Sequence, residues 1–142
     1  MDVEKVDEGE IQSWTPDEVA GAFFRGEIVL IDVRTPQEYV FEHIAGALLL
    51  PMPYFKAQYL PLQADKQLVL YCGEGLRSEH CAKVMLSGGS GVAAHLAGGF
   101  KAWREADKPY VGTNTMIGTP QRMGGKVADQ LDLPPPLMER VE

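Results

Sequence analysis

The chain of 142 residues is poor in cysteine and in positive charge. It has two cysteines, Cys72 and Cys81, and no CxxC or HxxxH spacing, so neither a disulfide framework nor a metal site is expected. Thirteen basic side chains against twenty acidic ones give a net charge of −7. This charge opposes binding to phosphate backbones and to anionic lipid, so we expect no nucleic-acid partner and no membrane partner.

Long apolar runs and a leader segment are also lacking. Residues 1–8 are acidic and show neither the basic start nor the apolar stretch of a signal peptide. No stretch approaches the roughly eighteen consecutive apolar residues that a spanning helix needs. With reduced thiols, the sequence predicts a cytoplasmic protein. Hydrophobic residues make up 45% of the chain, which suits one globular domain.

Strand-like runs alternate with helical patterns along the chain. Three β-branched or apolar runs, at 28–33, 68–72 and 92–96, predict buried strands. Thr15 followed by Pro16 and Glu18 has the pattern of a capping box, and a second short helix is expected to open near Thr35. The alternation predicts an α/β fold, with a parallel central sheet flanked by helices on both faces.

The patterning also suggests how the chain is divided. Residues 1–10 are charged and unpatterned, and we expect a solvated acidic lead-in there. Residues 11–110 form the expected domain, and residues 111–142 a C-terminal extension that packs on the domain or extends from it. Within that extension, residues 127–133 could form one or two helical turns, and residues 134–136 are consecutive prolines that cannot lie inside a helix.

The most informative segment joins a strand, a cysteine, a glycine-rich loop and a helix. A buried strand delivers Cys72 to its carboxyl end, Gly73 and Gly75 follow, and a helix is expected to begin near Arg77 or Ser78. Ligands bind at the carboxyl ends of strands in open α/β sheets. Glycines let backbone N–H groups turn inward, and a helix N-terminus adds partial positive charge. This surrounding favours a thiolate, so Cys72 is a candidate nucleophile rather than a buried apolar residue.

The loop and three further segments resemble a known family. Cys72, Gly75, Arg77 and Ser78 match the pattern Cys-x-x-Gly-x-Arg-Ser and resemble the active-site loop of rhodanese-domain sulfurtransferases. The resemblance covers roughly residues 11–110, in order and with matching spacing. The other matching segments are Ile31-Asp32-Val33-Arg34, His43-Ile44-Ala45-Gly46-Ala47 and Leu96-Ala97-Gly98-Gly99-Phe100.

The resemblance implies a single rhodanese domain that needs no cofactor. Cys72 would accept sulfane sulfur from a small donor such as thiosulfate or a persulfide, and the resulting persulfide would pass it to cyanide, a thiol or a protein. Asp32, Arg34 and His43 would support the fold rather than react. The substrate-binding loop implied by the resemblance comprises Gly73, Glu74, Gly75, Leu76, Arg77 and Ser78.

Glu74 and Arg77 leave the chemistry of the loop open. If Glu74 points inward, its charge about 6 Å from a bound anion costs on the order of 2–3 kcal/mol, and dianionic thiosulfate becomes a poor donor. If it points outward, it has no such effect. Arg77 could bind the substrate anion or pair with a carboxylate that fixes the loop, and the two roles are compatible.

The remaining cysteine and the histidines have simpler interpretations. Cys81 is spaced with Met85 on one helix side, which favours a core residue over a resolving thiol. His95 lies inside a strand run, and no histidine is placed as an obvious general base. A thiolate nucleophile scarcely needs one.

Two other functions remain open from the sequence. A Cys-dependent phosphatase or arsenate reductase is disfavoured because related phosphatases have one more residue between Cys and Arg. Such phosphatases also usually have His where this chain has Tyr71. A non-catalytic module that keeps the fold for protein contacts is disfavoured by the intact Cys72 and its glycine-rich loop.

Overall fold

The structure is a computed structural model and describes residues 1–61 and 65–125. The helical turns expected at 127–133 and the prolines at 134–136 lie outside these residues. The elements of the described part are β1 (Asp2–Val6), β2 (Gly9–Trp14), α1 (Pro16–Phe24), β3 (Ile28–Asp32), α2 (Pro36–Phe41), β4 (Leu48–Leu49), β5 (Gln67–Tyr71), α3 (Leu76–Ser87), β6 (Val92–Leu96), α4 (Gly99–Glu105), β7 (Tyr110–Asn114) and β8 (Thr119–Met123). Two 3-10 turns, Met52–Tyr54 and Ala57–Tyr59, join β4 to β5.

Capping boxes open the first two helices. At α1, the Thr15 side chain accepts the backbone N–H of Glu18, and the Glu18 carboxylate accepts the N–H of Thr15, as the sequence predicts. Thr35 and Glu38 form the same reciprocal pair at α2. These bonds satisfy backbone donors that a helix leaves without internal partners.

The central sheet has six strands in the order β1-β2-β6-β5-β3-β4. Strand β1 pairs antiparallel with β2, and every other pairing in this sheet is parallel. The parallel strands β3, β5 and β6 are those that the sequence predicts. Because they are parallel, their carboxyl ends lie at the same end of the sheet, where Cys72 follows β5.

Two apolar cores lie on the two faces of the sheet. Helices α1 and α4 contribute Val19 and Trp103 to one core, which also receives Leu30 of β3. Helix α3 contributes Met85 to the other, which receives Ile31, the next residue along β3. Successive strand residues therefore face opposite cores, as a sheet buried on both sides requires. The predicted fold class, a parallel sheet with helices on both faces, is confirmed.

The first ten residues are mostly exposed but are not the unpatterned lead-in that the sequence suggests. Strand β1 and the start of β2 form a hairpin there, with Val6 paired to Gly9. The signal that was missed is Gly9, which has φ +143° and lies so close to Gly91 that a Cβ would come within 2.1 Å of the Gly91 carbonyl oxygen. The N–H of Glu10 donates to that carbonyl, which aligns β2 beside β6.

Strands β7 and β8 form a second hairpin in the first part of the expected extension. The expected domain boundary at residue 110 falls inside this hairpin, since β7 begins at Tyr110. Val111 and His43 exchange two backbone hydrogen bonds of 2.8 and 2.9 Å, which attach β7 to the turn after α2. Over the described residues, no helix has both the length and the apolar character needed to cross a membrane.

Candidate active site

Cys72 lies between the end of β5 and the start of α3. Its side chain is 1% exposed, and its Sγ accepts the backbone N–H of Gly75 at 3.0 Å. Gly75 has φ +116°, a conformation that favours glycine and turns this N–H back toward the sulfur. The twelve residues of α3 begin directly after Gly75, so the positive end of a helix faces the sulfur.

The start of α4 holds the loop from the opposite side. The N–H of Phe100 donates to the Cys72 carbonyl at 2.8 Å, and the N–H of Lys101 donates to the Gly73 carbonyl at 3.0 Å. Gly99 has φ +63°, and a Cβ there would lie 2.6 Å from the Cys72 carbonyl oxygen. The close approach explains why glycine stands at position 99.

Arg77 is paired with a carboxylate. Its two terminal nitrogens donate to the two oxygens of Glu38 at 2.7 and 3.0 Å. This hydrogen bonding from Arg77 lowers the pKa of Glu38 to about 2. Of the two roles left open for Arg77, the structure contains the one that fixes the loop, and the pair joins it to α2.

Asp32 and Arg34 form a buried ion pair beside the site. The guanidinium of Arg34 donates to both carboxylate oxygens of Asp32, at 2.9 to 3.2 Å, and to the Glu42 carbonyl at 2.6 Å. Both side chains are buried. His43 stacks on Tyr39 with ring centroids 3.8 Å apart, and its burial lowers its pKa. The three residues expected to support the fold therefore lie in structural contacts.

A cleft of about 480 Å³ opens above Cys72. Apolar Leu76 and Phe100 lie in its wall among charged side chains of both signs, and Leu76 is 81% exposed. Arg104 donates to Glu42 at 2.5 Å, and Lys101 lies 3.6 Å from Glu74. The charged groups of the wall are Arg34, Glu38, Glu42, Glu74, Arg77, Lys101 and Arg104. Each of these cations has a carboxylate partner, so the cleft carries little net charge.

Glu74 lies at the mouth of the cleft and points outward. Its side chain is 74% exposed and forms an ion pair with Lys101. Of the two orientations considered from the sequence, the structure has the one that leaves the cradle of the sulfur free of a carboxylate.

Behind the sulfur lies a polar chain that sequence reasoning missed. Ser78 Oγ is 3.5 Å from Cys72 Sγ and 2.8 Å from His95 Nδ1. On the far side of the ring, His95 Nε2 is 3.2 Å from Ser13 Oγ. The alternation of β6 places His95 in the sheet, but only the pairing of β2 with β6 shows that Ser13 is its neighbour.

Cys81 lies one turn into α3 from Ser78, within the second apolar core. Burial raises the pKa of its thiol to about 12. The position agrees with the core residue that the helical spacing predicts.

Several known proteins are similar to this chain in sequence or in fold. The Rhodanese-like domain family matches residues 15–106. An uncharacterized protein of Synechocystis is 40% identical over 86 residues, 61% of this chain and 48% of that protein. A protein of Allochromatium vinosum named sulfurtransferase is 33% identical over 85 residues, 60% of this chain and 79% of that protein. The human single-domain sulfurtransferase has a similar structure, with TM-score 0.60 and 25% identity, over 66% of this chain and 95% of that chain.

The family match covers the elements that build the site. It runs from the capping box of α1 to the end of α4 and so includes the Cys72 loop and the glycines that hold it. The chain spans about half the length of the Synechocystis relative. The chain belongs to the rhodanese-like domain family.

Proposed function

We propose that the protein is a sulfurtransferase that carries sulfane sulfur on Cys72 as a persulfide. The observation that carries this proposal is the position of the Cys72 sulfur. It faces the positive end of α3, accepts the Gly75 N–H at 3.0 Å and opens on a cleft. A backbone donor and a helix N-terminus both stabilise negative charge on sulfur.

The reaction has two displacement steps. In the first, the Cys72 thiolate attacks the outer sulfur of a donor such as thiosulfate, a new S–S bond forms, and sulfite leaves with the electron pair of the broken bond. In the second, cyanide or a thiolate attacks the outer sulfur of the persulfide, and Cys72 leaves as the thiolate. The second step returns the negative charge to the Cys72 sulfur, which accepts the Gly75 N–H.

The shape of the loop argues against phosphate chemistry. The loop from Cys72 to Arg77 has six residues, and the Arg77 guanidinium is already bound at both terminal nitrogens by Glu38. Glu38 uses two of the five N–H donors of that guanidinium, so a bound phosphate would have to share it with a carboxylate. Tyr71, in the place where related phosphatases usually have His, is fully buried and accepts the Ile44 N–H through its hydroxyl.

We propose small sulfur donors and a thiol or protein acceptor as partners. The cleft of about 480 Å³ exceeds what an inorganic donor requires and falls in the size range of sites for larger ligands. The exposed Leu76 gives an acceptor an apolar contact close to the sulfur. Both cysteines are free, as persulfide chemistry requires, and we place the reaction in a reducing compartment such as the cytoplasm.

Intact mass after sulfur loading tests the proposal. Reduced wild-type protein, Cys72→Ser and Cys81→Ser are incubated with thiosulfate and, separately, with glutathione persulfide. We expect a gain of one sulfur atom, removable by cyanide, in wild type and in Cys81→Ser but not in Cys72→Ser. If neither donor loads Cys72 with sulfur, the proposed sulfurtransferase function is wrong and a protein-binding module becomes the leading hypothesis. Turnover of a phosphate ester that Cys72→Ser abolishes would instead favour the phosphatase.

A further inference from the structure

A line of hydrogen-bonding groups runs from the reactive sulfur into the sheet. It joins Cys72 Sγ, Ser78 Oγ, the two ring nitrogens of His95 and Ser13 Oγ, with separations of 3.5, 2.8 and 3.2 Å. Three different elements supply the last three members: α3, β6 and β2. None of the displacement steps described above uses His95.

The middle of this line is closed to solvent. Ser78 is 0% exposed and His95 is 7% exposed, whereas Ser13 at the far end is half-buried. A buried imidazole between two serine hydroxyls is costly to keep unless its nitrogens are hydrogen-bonded, and here both have a partner.

The distances around Ser78 assign the hydrogens. The Ser78 hydroxyl has one hydrogen and lies 2.8 Å from His95 Nδ1 but 3.2 Å from the Gly75 carbonyl, which also accepts the N–H of Glu79 at 3.0 Å. The shorter distance assigns the hydroxyl hydrogen to Nδ1, which places the hydrogen of His95 on Nε2, where Ser13 accepts it. Ser78 Oγ is then free to accept the S–H of Cys72.

We propose that His95 is a positioning residue that takes up, through Ser78, the proton that Cys72 loses when it becomes a nucleophile. The S–H proton passes to Ser78 Oγ while the Ser78 hydroxyl proton passes to His95 Nδ1. The products are a thiolate that accepts a hydrogen bond from Ser78 and an imidazolium that donates one to the same oxygen. When the Nε2 proton leaves toward Ser13 and solvent, the imidazole is neutral again.

His95 is neutral before the transfer. Burial lowers the pKa of His95 and so disfavours the imidazolium, whereas the charge of Glu79 favours it. Two other titratable groups lie near Cys72, Arg77 at the start of α3 and Cys81 on the same helix. The charge of a Cys72 thiolate raises the pKa of each. The variants below share one background in which Cys81 is alanine, and they leave Glu79 and Arg77 unchanged.

The rate of alkylation of Cys72 by iodoacetamide tests the proposal. It is followed by intact mass from about pH 5 to about pH 9 in a Cys81→Ala background. His95→Asn keeps an oxygen that can accept the Ser78 hydrogen but takes up no proton. We expect its rate near pH 7 to fall about tenfold and its half-maximal rate to lie at a higher pH. Ser78→Ala should act in the same direction.

Matched variants separate the relay from a general loss of structure. His80→Asn changes an exposed histidine on α3, and Ser87→Ala an exposed serine on the same helix, so both should alkylate at the parent rate. Because Ser78 and His95 act in series, the double variant should be no slower than Ser78→Ala alone. Circular dichroism and thermal melting of each variant verify folding. If His95→Asn does not fold, Ser78→Ala still decides the outcome.

Several outcomes would overturn the relay. If folded His95→Asn is alkylated at the parent rate, His95 only orients Ser78. If Ser78→Ala is alkylated at the parent rate, Ser78 does not connect His95 to Cys72. If the losses add in the double variant, the two residues act independently. The proposal rests on the proposed function only in taking Cys72 as the reactive thiol. Alkylation uses no sulfur donor. If Cys72 takes up no sulfur but its alkylation still depends on these variants, the proposed sulfurtransferase function is wrong and the proposed relay stands.

Discussion

Cys72 and Cys81 belong to the same apolar core and are 1% and 0% exposed, yet their surroundings differ in kind. Cys72 sits at a strand end, where a backbone N–H and a serine hydroxyl reach its sulfur and a cleft opens beside it. Cys81 sits on the inner face of α3, where burial and, less strongly, the charge of Cys72 raise the pKa of its thiol to about 12. The pair teaches that polar donors around a sulfur, rather than its exposed area, separate a candidate nucleophile from a core residue.

The two thiols should react at very different rates, and this is the largest effect expected. A pKa of about 12 leaves roughly one part in 10⁴ of Cys81 as thiolate near pH 8, so iodoacetamide should alkylate Cys72 more than about a hundredfold faster. The measurement compares the single-cysteine variants Cys72→Ala and Cys81→Ala by intact mass over time. In denaturant the two rates should converge. Equal rates in the folded proteins would break the comparison.

Gly99→Ala should lower the alkylation rate of Cys72 and leave that of Cys81 unchanged. The new Cβ would lie 2.6 Å from the Cys72 carbonyl oxygen and hold a left-handed backbone, so the loop must move. We expect alkylation of Cys72 to fall about tenfold and stability to drop by about 1–3 kcal/mol.

Gly26→Ala is the matched control for that variant. Gly26 has φ +71° and open space within 4 Å of the added Cβ, so it carries the backbone strain without the contact. It should lose stability but keep the alkylation rate of Cys72. If both alanines slow Cys72 equally, strain rather than loop displacement is the cause.

Glu38→Gln should have the smallest effect, because it removes the charge of one partner in the half-exposed ion pair between Arg77 and Glu38. The pKa of Glu38 is lowered from its ordinary value of 4.5 to about 2. Its carboxylate therefore stabilises the fold fully at pH values above 4.5, and this contribution is lost as the pH falls toward about 2. We expect a loss of about 1 kcal/mol near neutral pH, since solvent screens a pair of this exposure.

Urea unfolding of wild type and Glu38→Gln at several pH values measures this difference, which should shrink as the pH approaches 3. Glu27→Gln breaks an exposed pair with Arg25 and should change nothing measurable. A difference that grew at low pH would contradict the role assigned to Glu38.

The sequence predicts those parts of the fold and site that depend on neighbours along the chain. The capping box of Thr15 and Glu18 and the strands β3, β5 and β6 are encoded within short segments, and the structure confirms them. The loop after β5 is likewise local. Its residues are placed as the proposed nucleophile site requires, but their roles stay predictions until Cys72 is tested.

Contacts between distant segments could not be predicted in the same way. The partner of Arg77 is Glu38, 39 residues away, and Ser13 meets His95 across 82 residues. Both depend on which strands and helices pack together, which hydrophobic periodicity does not specify. The sequence does not predict the β1–β2 hairpin because β1 is polar and exposed and β2 is polar and half-buried, so the alternation that marks a buried strand is weak there.

The polar first hairpin has a consequence for self-association. Strand β1 is one edge of the six-stranded sheet, and its exposed side chains include Asp2, Glu4 and Lys5. The opposite edge is β4, which has two residues and is soon followed by Pro51. Charge, brevity and proline are the devices by which natural sheets discourage edge-to-edge pairing. In its described part, this sheet therefore has two edge strands that disfavour the addition of a second chain to its hydrogen-bonded ladder.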